Sequence, residues 1–387
     1  MKILYYSWQE NSTKDMLDAL QSAGHSVTLL VNSLDYYLSE QFQSQIYSDL
    51  AYADFDFIFT FNYFAAISNT AQQCGLRYVS WIFDCPNIDI YSTTISNPCN
   101  YIFLFDKNML AATLRNHARH AYHLPLAFND TRLKQQLHLS DDAAAFAPAQ
   151  YQHDISFVGS LYERSNYDRL EYAKEHTRGY LHGIIASQKK VWGQDLISPV
   201  LTNDRCLELA EQLSIDVDDG YTYTAQDIYT SLIQKKITSE ERIEALNRLS
   251  EQHSVSLYTD SDTSLCPNTK HMGTTSYFSG MPDVFYRSKI NLNITLRSIT
   301  SGIPLRAIDI LGCGGFLLSN YQEELCEYFI PGEDFVYYED VNDLLSKTDY
   351  YLTHETERQQ IAYHGHCKAS QLFTYDKQVA KMIAMLD

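Results

Sequence analysis

No apolar run in this 387-residue chain approaches the roughly 20 residues needed to cross a bilayer. Basic residues are scarce too: 29 Lys and Arg stand against 48 Asp and Glu, a formal net charge of −19. A field of that sign repels nucleic acid and anionic lipid, so neither is expected as a partner, nor is membrane insertion. The KK pairs at 189–190 and 235–236 are too short for a docking patch and read as solvated helix faces. The opening MKILYYSWQENSTKD turns polar where a signal peptide needs a sustained apolar core, which leads to the expectation of a cytoplasmic protein. Eight cysteines (Cys74, Cys85, Cys99, Cys206, Cys266, Cys313, Cys326 and Cys367) form no CxxC pair and share no regular spacing. They read as buried thiols, with no zinc site and no disulfide framework. Thirteen histidines contain no HExxH, and the one HxH, His364 and His366 either side of Gly365, does not share a helix face, so no metal is expected.

What is present is a globular composition, 45% hydrophobic and 20% charged, on a chain long enough for two cores. KILYY (2–6), the strand at 26–31, DFDFIFTFN (54–62), LRYVSWIFD (76–84) and NYIFLFD (100–106) alternate with helical stretches, and a short strand AYHLPLA follows. Such alternation predicts an α/β fold with a parallel sheet and helices on both faces. The polar, Ala-rich stretch 129–153 reads as the connection to a second series that begins at DISFVGSLY (154–162). Between about 165 and 252 the period is helical throughout, predicting a helical insertion; VSLYT, SKINLNIT, GFLLSN and FVYYE then resume the strands. The expected division is 1–150, 151–370 and a final helix over 371–387 that returns to the first domain.

Two loops of the second series have chemistry suited to a diphosphate. The FVGSLY turn brings Gly159 and Ser160 to the end of a buried strand, where backbone N–H groups can approach a phosphate, and Arg164 follows. Alone, this turn reads better as an ordinary strand-to-loop glycine. In SITSGIPLRAIDILGCGGFLLSN (298–320), Ser301 and Gly302 lead through Pro304 into a helix, and Gly314 and Gly315 close it. Arg306 and Asp309, three apart, share a helix face. A carboxylate is the matching acceptor for two vicinal ribose hydroxyls. A surface ion pair before a C-cap glycine is the equally economical reading of that segment alone. Both loops at strand ends of one domain favour the binding reading.

SGIPLRAIDILGCGGFLLSN, IPGEDFVYYEDVNDLL and YYLTHETERQQIAYHG resemble the C-terminal domain of GT-B glycosyltransferases, most closely the CgeB-like (spore-maturation-protein-like) branch. YVSWIFDCPNIDIYSTTISNPCNYIFLFD and YHLPLAFN resemble the N-terminal domain that accompanies it. The resemblance covers most of the chain, least clearly 165–252. It implies two Rossmann-like domains facing across a cleft, a nucleotide-diphospho-sugar donor as substrate, and no cofactor or metal. Where retaining members carry E-x7-E, this chain has Ser301 and Asp309, so the second acid is shortened and the first is missing. Asp309 inherits the ribose contact, and the stereochemical course stays open.

For the acceptor half, Asp84 closes the strand ending WIFD, and an inverting transferase needs a base there. Partial burial beside Trp81 and Phe83 would raise its pKa, and a turn-capping role before Pro86 is as good a reading. Asp106 reads as a helix N-cap. Glu10 and Asn11 are acceptor-side candidates. Tyr258 is placed near the nucleobase, with Asp260 and Asp262 in the loop beyond. The leading expectation is a glycosyltransferase acting on a glycan or protein acceptor. The alternatives are a nucleotide-sugar epimerase of the same fold and a catalytically silent binding protein. A hydride-transfer enzyme ranks lower, because YYSWQENS lacks G-x-G-x-x-G.

Overall fold

The computed structural model describes residues 1–51 and 54–386, and by its internal contacts the chain divides into two units. Unit 1 comprises Met1–Phe128, Val217–Tyr223 and Phe373–Asp387. In chain order it contains β1 (Lys2–Ser7), α1 (Thr13–Ser22), β2 (Ser26–Val31), α2 (Leu34–Tyr37), α3 (Glu40–Leu50), β3 (Phe57–Phe61), α4 (Ala65–Cys74), β4 (Arg77–Ile82), β5 (Asn100–Leu104), α5 (Lys107–Arg115) and β6 (Ala121–His123). The six strands pair in parallel in the order β2-β1-β3-β4-β5-β6. β3, FIFTF, is buried at every position, the pattern of a strand covered on both faces. On α1 the buried Met16, Ala19 and Leu20 recur at i, i+3 and i+4, so one stripe meets the sheet. Asp106 caps α5 by accepting from the Met109 amide at 2.9 Å, as its position predicts.

Unit 2 comprises Asn129–Asp216 and Thr224–Leu372. It contains α6 (Asp130–Leu137), β7 (His153–Val158), α7 (Glu175–Gln188), α8 (Asn203–Ala210), α9 (Ala225–Ser250), β8 (Val255–Tyr258), β9 (Lys270–Gly273), α10 (Gly280–Tyr286), β10 (Ser288–Asn293), α11 (Leu305–Gly312), β11 (Leu317–Asn320), α12 (Glu323–Tyr328), β12 (Val336–Tyr338), α13 (Val341–Thr353) and α14 (Glu355–Leu372). Its strands are also all parallel, in the order β12-β11-β10-β7-β8-β9. The edge strand β9 went unread in the sequence because KHMG has no buried face. Helix α15 (Tyr375–Ala384) packs on α1 of unit 1, where the Tyr375 ring meets Trp81 edge-on at 6.0 Å.

The boundaries differ from a simple cut at residue 150. Residues 129–150 join unit 2 because Phe146 is buried there and its carbonyl accepts from Tyr286 Oη at 2.7 Å. Val217–Tyr223, inside the helical segment, joins unit 1, where the Thr222 amide donates to the Tyr91 carbonyl at 2.7 Å. The helical segment has an apolar cluster of its own that includes Tyr167, Leu181, Ile185 and Leu209. The 26-residue α9 links that cluster to the sheet. Tyr229, Ile233 and Ile237 enter the helical cluster, whereas Ala245, Leu246 and Leu249 enter the core under the strands. Its start is fixed by a capping box between Thr224 and Asp227.

The tail closes unit 2 by packing α14 on α11. A Cβ at Gly365 would fall on the Asp334 carbonyl oxygen and 2.8 Å from Leu311 Cδ2, so only glycine permits this crossing. Beside it the buried His366 donates through Nδ1 to the Gly312 carbonyl at 3.1 Å, satisfying the end of α11. Burial lowers its pKa, against the opposing effect of Asp130. A depressed histidine pKa stabilises the fold above the unfolded value near 6.5, and that contribution is lost as pH falls toward the folded value. Thermal midpoints should therefore fall between pH 7.5 and 5, and His366→Gln, measured by calorimetry over the same range, should remove part of the fall.

Candidate functional site

In unit 2 the chain leaves β7 toward β8 on one side and β10 toward β11 on the other, so the switch point lies between β7 and β10. Loops leaving the carboxyl ends of those two strands border the crevice where open α/β sheets bind ligands. They are residues 159–164 and 294–304. Buried amides tie the strand ends together. Asn293 Nδ2 donates to Ser319 Oγ at 2.9 Å, the Thr295 amide donates to Asn320 Oδ1 at 2.7 Å, and Ser156 Oγ donates to Asn291 Oδ1 at 2.9 Å. Asparagine is depleted in strands, and that was the one sequence signal that could have found these residues.

Beneath both loops lies Arg242 of α9, which was not singled out from the sequence. Its guanidinium donates to the Ile294 carbonyl through Nε (3.1 Å) and Nη2 (2.6 Å), and to the Ser160 carbonyl through Nη1 (2.6 Å). The rings of Tyr162 and Phe157 lie 4.7 and 5.4 Å from it. Burial lowers its pKa, and Arg306 acts in the same direction. A second tether, Arg297, forms an ion pair with Glu241 and stacks 3.2 Å from the Trp192 ring centroid, fixing the loop after β10 against α9. Burial pushes the Glu241 carboxyl up, opposed by Arg297.

Further along, Gln322 Nε2 holds the Ile299 and Gly302 carbonyls, each at 3.0 Å, and the Glu324 amide donates to the Ser301 carbonyl at 3.1 Å. Pro304 is the N-cap of α11, one position earlier than its sequence reading, and no side chain caps this helix. The first-turn amides of Leu305 and Arg306 have no hydrogen-bond acceptor among the described residues. Arg306, on that turn, contacts Met281 Sδ, reaches Asp309 Oδ2 at 3.4 Å and lies over Phe285. Asp309 is 6% exposed and also accepts from Tyr277 Oη at 3.1 Å. The structure thus brings Ser301, Gly302, Arg306 and Asp309 to one helix start.

Other candidates are placed differently. The Gly159 amide donates to the Tyr258 carbonyl at 3.0 Å, and those of Leu161 and Tyr162 donate to Ser261 Oγ and Ser160 Oγ. These amides are therefore occupied, and the FVGSLY turn is not the phosphate cradle expected of it. Arg164 has a 91% exposed side chain whose nearest acid is Glu163 at 3.9 Å. Tyr258 Oη bonds His153 Nε2 (3.1 Å), on the first residue of β7, so the ring leans toward the amino ends of the strands and away from the loops. Gly314 and Gly315 lie at the far end of α11, before β11. Gly314 has φ 73°, and a Cβ on Gly315 would fall 2.6 Å from Asn291 Nδ2. Both serve close packing at the opposite edge of the sheet from Ser301. Asp262 caps the short turn Thr263–Leu265, accepting from the Ser264 amide.

In unit 1 the switch point lies between β1 and β3. Glu10 is 6% exposed and accepts from Tyr5 Oη, Thr13 Oγ1 (2.8 Å), Ser7 Oγ (3.1 Å) and the Trp8 amide (2.9 Å). Four donors occupy it, so it organises the β1–α1 loop. Asn11 is exposed beside it. Asp84 is exposed, so the burial expected for it is absent. Asn62, a left-handed residue at the end of β3 (φ 59°), donates to Asp84 Oδ2 at 2.7 Å and accepts from the Phe83 and Asp84 amides. The aspartate thus has a fixed orientation with its side chain open to solvent.

Two units, each a six-stranded parallel sheet flanked by helices, give this chain the GT-B fold. Residues 236–384 match a family model described as glycosyl transferase-like. Among solved structures, HepE of Anabaena in complex with UDP and glucose superposes with a TM-score of 0.54 at 11% identity, covering 99% of both chains. Sucrose-phosphate synthase of Thermosynechococcus elongatus gives 0.54 at 12%, covering 100% of this chain and 98% of that one. A glycosyltransferase of Rickettsia africae gives 0.51 at 9%, covering 100% and 98%. No curated protein matches the sequence.

Arg242 makes a local prediction. In Arg242→Lys the donors all lie on one atom of a shorter side chain and do not reproduce the fork that spans both carbonyls. Amide exchange in 159–162 and 294–297 should then accelerate while unit 1 keeps its wild-type protection.

Proposed function

We propose that the protein transfers a sugar from a nucleotide-diphospho-sugar to a nucleophile of a glycan or protein acceptor. One observation carries the reading: the uncapped start of α11, with Arg306 on its first turn and Asp309 one turn on, stands beside the switch point of a GT-B unit. A helix N-terminus with open amides attracts a diphosphate, and Arg306 adds a charge-assisted donor. The match to the glycosyl transferase-like model includes this helix, and HepE, of the same fold, was crystallised with UDP and glucose.

In this reading Asp309 accepts the ribose hydroxyls, which replace the Tyr277 hydroxyl on Oδ1. Arg306 and the open amides stabilise the negative charge that develops on the leaving diphosphate. Ser160 and Arg164 border the same crevice, and Arg164 is free to swing toward a bound anion. Asp84 of unit 1 takes the acceptor proton, with Asn62 aiming its carboxylate. No residue is assigned to a metal. Loss of charge-assisted bonds costs about 1.5–3 kcal/mol each, so Arg306→Ala and Asp309→Ala should each weaken nucleotide-sugar binding by roughly 10- to 100-fold in calorimetry. Unchanged affinity in both would remove them from the site. Asp84→Asn should leave donor affinity intact and lower kcat by about 10²- to 10⁴-fold. An epimerase of the same fold needs no acceptor base. Isomerised sugar from donor alone, undiminished in Asp84→Asn, would favour it.

A further inference from the structure

Arg358, in the first turn of α14, is 1% exposed and has no ion-pair partner among the described residues. Its Nη1 donates to the Tyr351 carbonyl at 2.6 Å, near the end of α13. Nε and Nη2 have no hydrogen-bond partner among the described residues. These two nitrogens form one edge of the guanidinium, the edge that holds anions with two parallel N–H donors. A buried charge left in this state is destabilising unless something answers it. The Tyr151 ring, 5.2 Å from the guanidinium carbon, supplies only a weak partial answer.

A small cavity opens beside Arg358. Its wall includes Tyr151, Ser288, Lys289, Gly314 and Gln359, and contains no Asp or Glu. Lys289 has its ion pair with Asp154, 2.7 Å away, outside that lining. Ser288 opens β10 and Gly314 precedes β11, so the cavity lies at the amino edge of the sheet, the opposite edge from Ser301 and Arg306. The free space takes one small species and no more. A water could satisfy the two N–H groups and would leave the charge unanswered. A nucleotide or a sugar phosphate could not enter.

We propose that this cavity is a binding site for a small monovalent inorganic anion of chloride size, held by Nε and Nη2 of Arg358 with Lys289 as the second cation. It stabilises the packing of α14 against the strand starts and stands apart from the donor reading, which can fail without affecting it. The test replaces sodium gluconate with sodium chloride at constant ionic strength and follows the thermal midpoint of the whole chain, gluconate being too large to enter. The wild type should rise by roughly 2–4 °C and saturate once chloride is several-fold above its dissociation constant. Arg358→Met should show no rise, and Lys289→Gln should need several-fold more chloride for half its effect. No chloride-dependent rise in the wild type, or an equal rise in Arg358→Met, overturns the proposal. If Arg358→Met does not fold, Lys289→Gln decides: an unchanged half-saturating concentration overturns it.

Discussion

Arg242 is the group on which the geometry of unit 2 turns. Three of its N–H bonds go to the carbonyl oxygens of Ile294 and Ser160, which satisfies the donors while the charge is only partly neutralised. Arginine stays charged even where burial lowers its pKa. The result is a fixed positive potential directly below the loops after β7 and β10. Arg306 adds a second cation close enough to act on the first. A crevice floor of this kind favours an anionic ligand before any direct contact is made, because charge in a low-dielectric surround is felt over greater distances than in water.

The helical segment then has a mechanical role. α9 runs from the apolar cluster of that segment to the core under the sheet, and Glu241 and Arg242 sit between the two. Its position is therefore set by packing at both ends, and the two side chains that tether the loops inherit that rigidity. Trp192, from the stretch after α7, presses on Arg297 and adds a third point of support. The helical segment thus supports the loops that leave β7 and β10.

Much of the fold was legible because parallel strands buried on both faces read as continuous apolar runs, as in FIFTF and GFLLSN. β9 was not, since an exposed edge strand has no such run. The helix start with Arg306 and Asp309 was legible from Pro304 and the spacing of the two charges. Arg242 was hidden, because one arginine on a long helix looks the same whether it faces solvent or the ends of two strands. The errors share one cause. Gly159, Gly314 and Gly315 were read for what glycine permits, whereas the first has its amide in the sheet and the others make room for neighbours. Asp84 was expected to be partly buried and is exposed; Glu10 was an acceptor-side candidate, and local sequence does not show that Tyr5, Ser7 and Thr13 converge on its carboxylate.

The net charge of −19 constrains how such a protein can hold an anion. Screening confines surface charge to about 8–10 Å at physiological ionic strength, so the global field acts on approach and hardly at the site. Buried cations with neutral partners are screened far less and dominate at contact. Added ions weaken the long-range repulsion more than they weaken the potential of the buried Arg242. The same division of scale applies to Arg358, whose uncompensated edge is set by its immediate wall and not by the acidic surface. Which donors are left open is a property of packing that composition alone does not reveal.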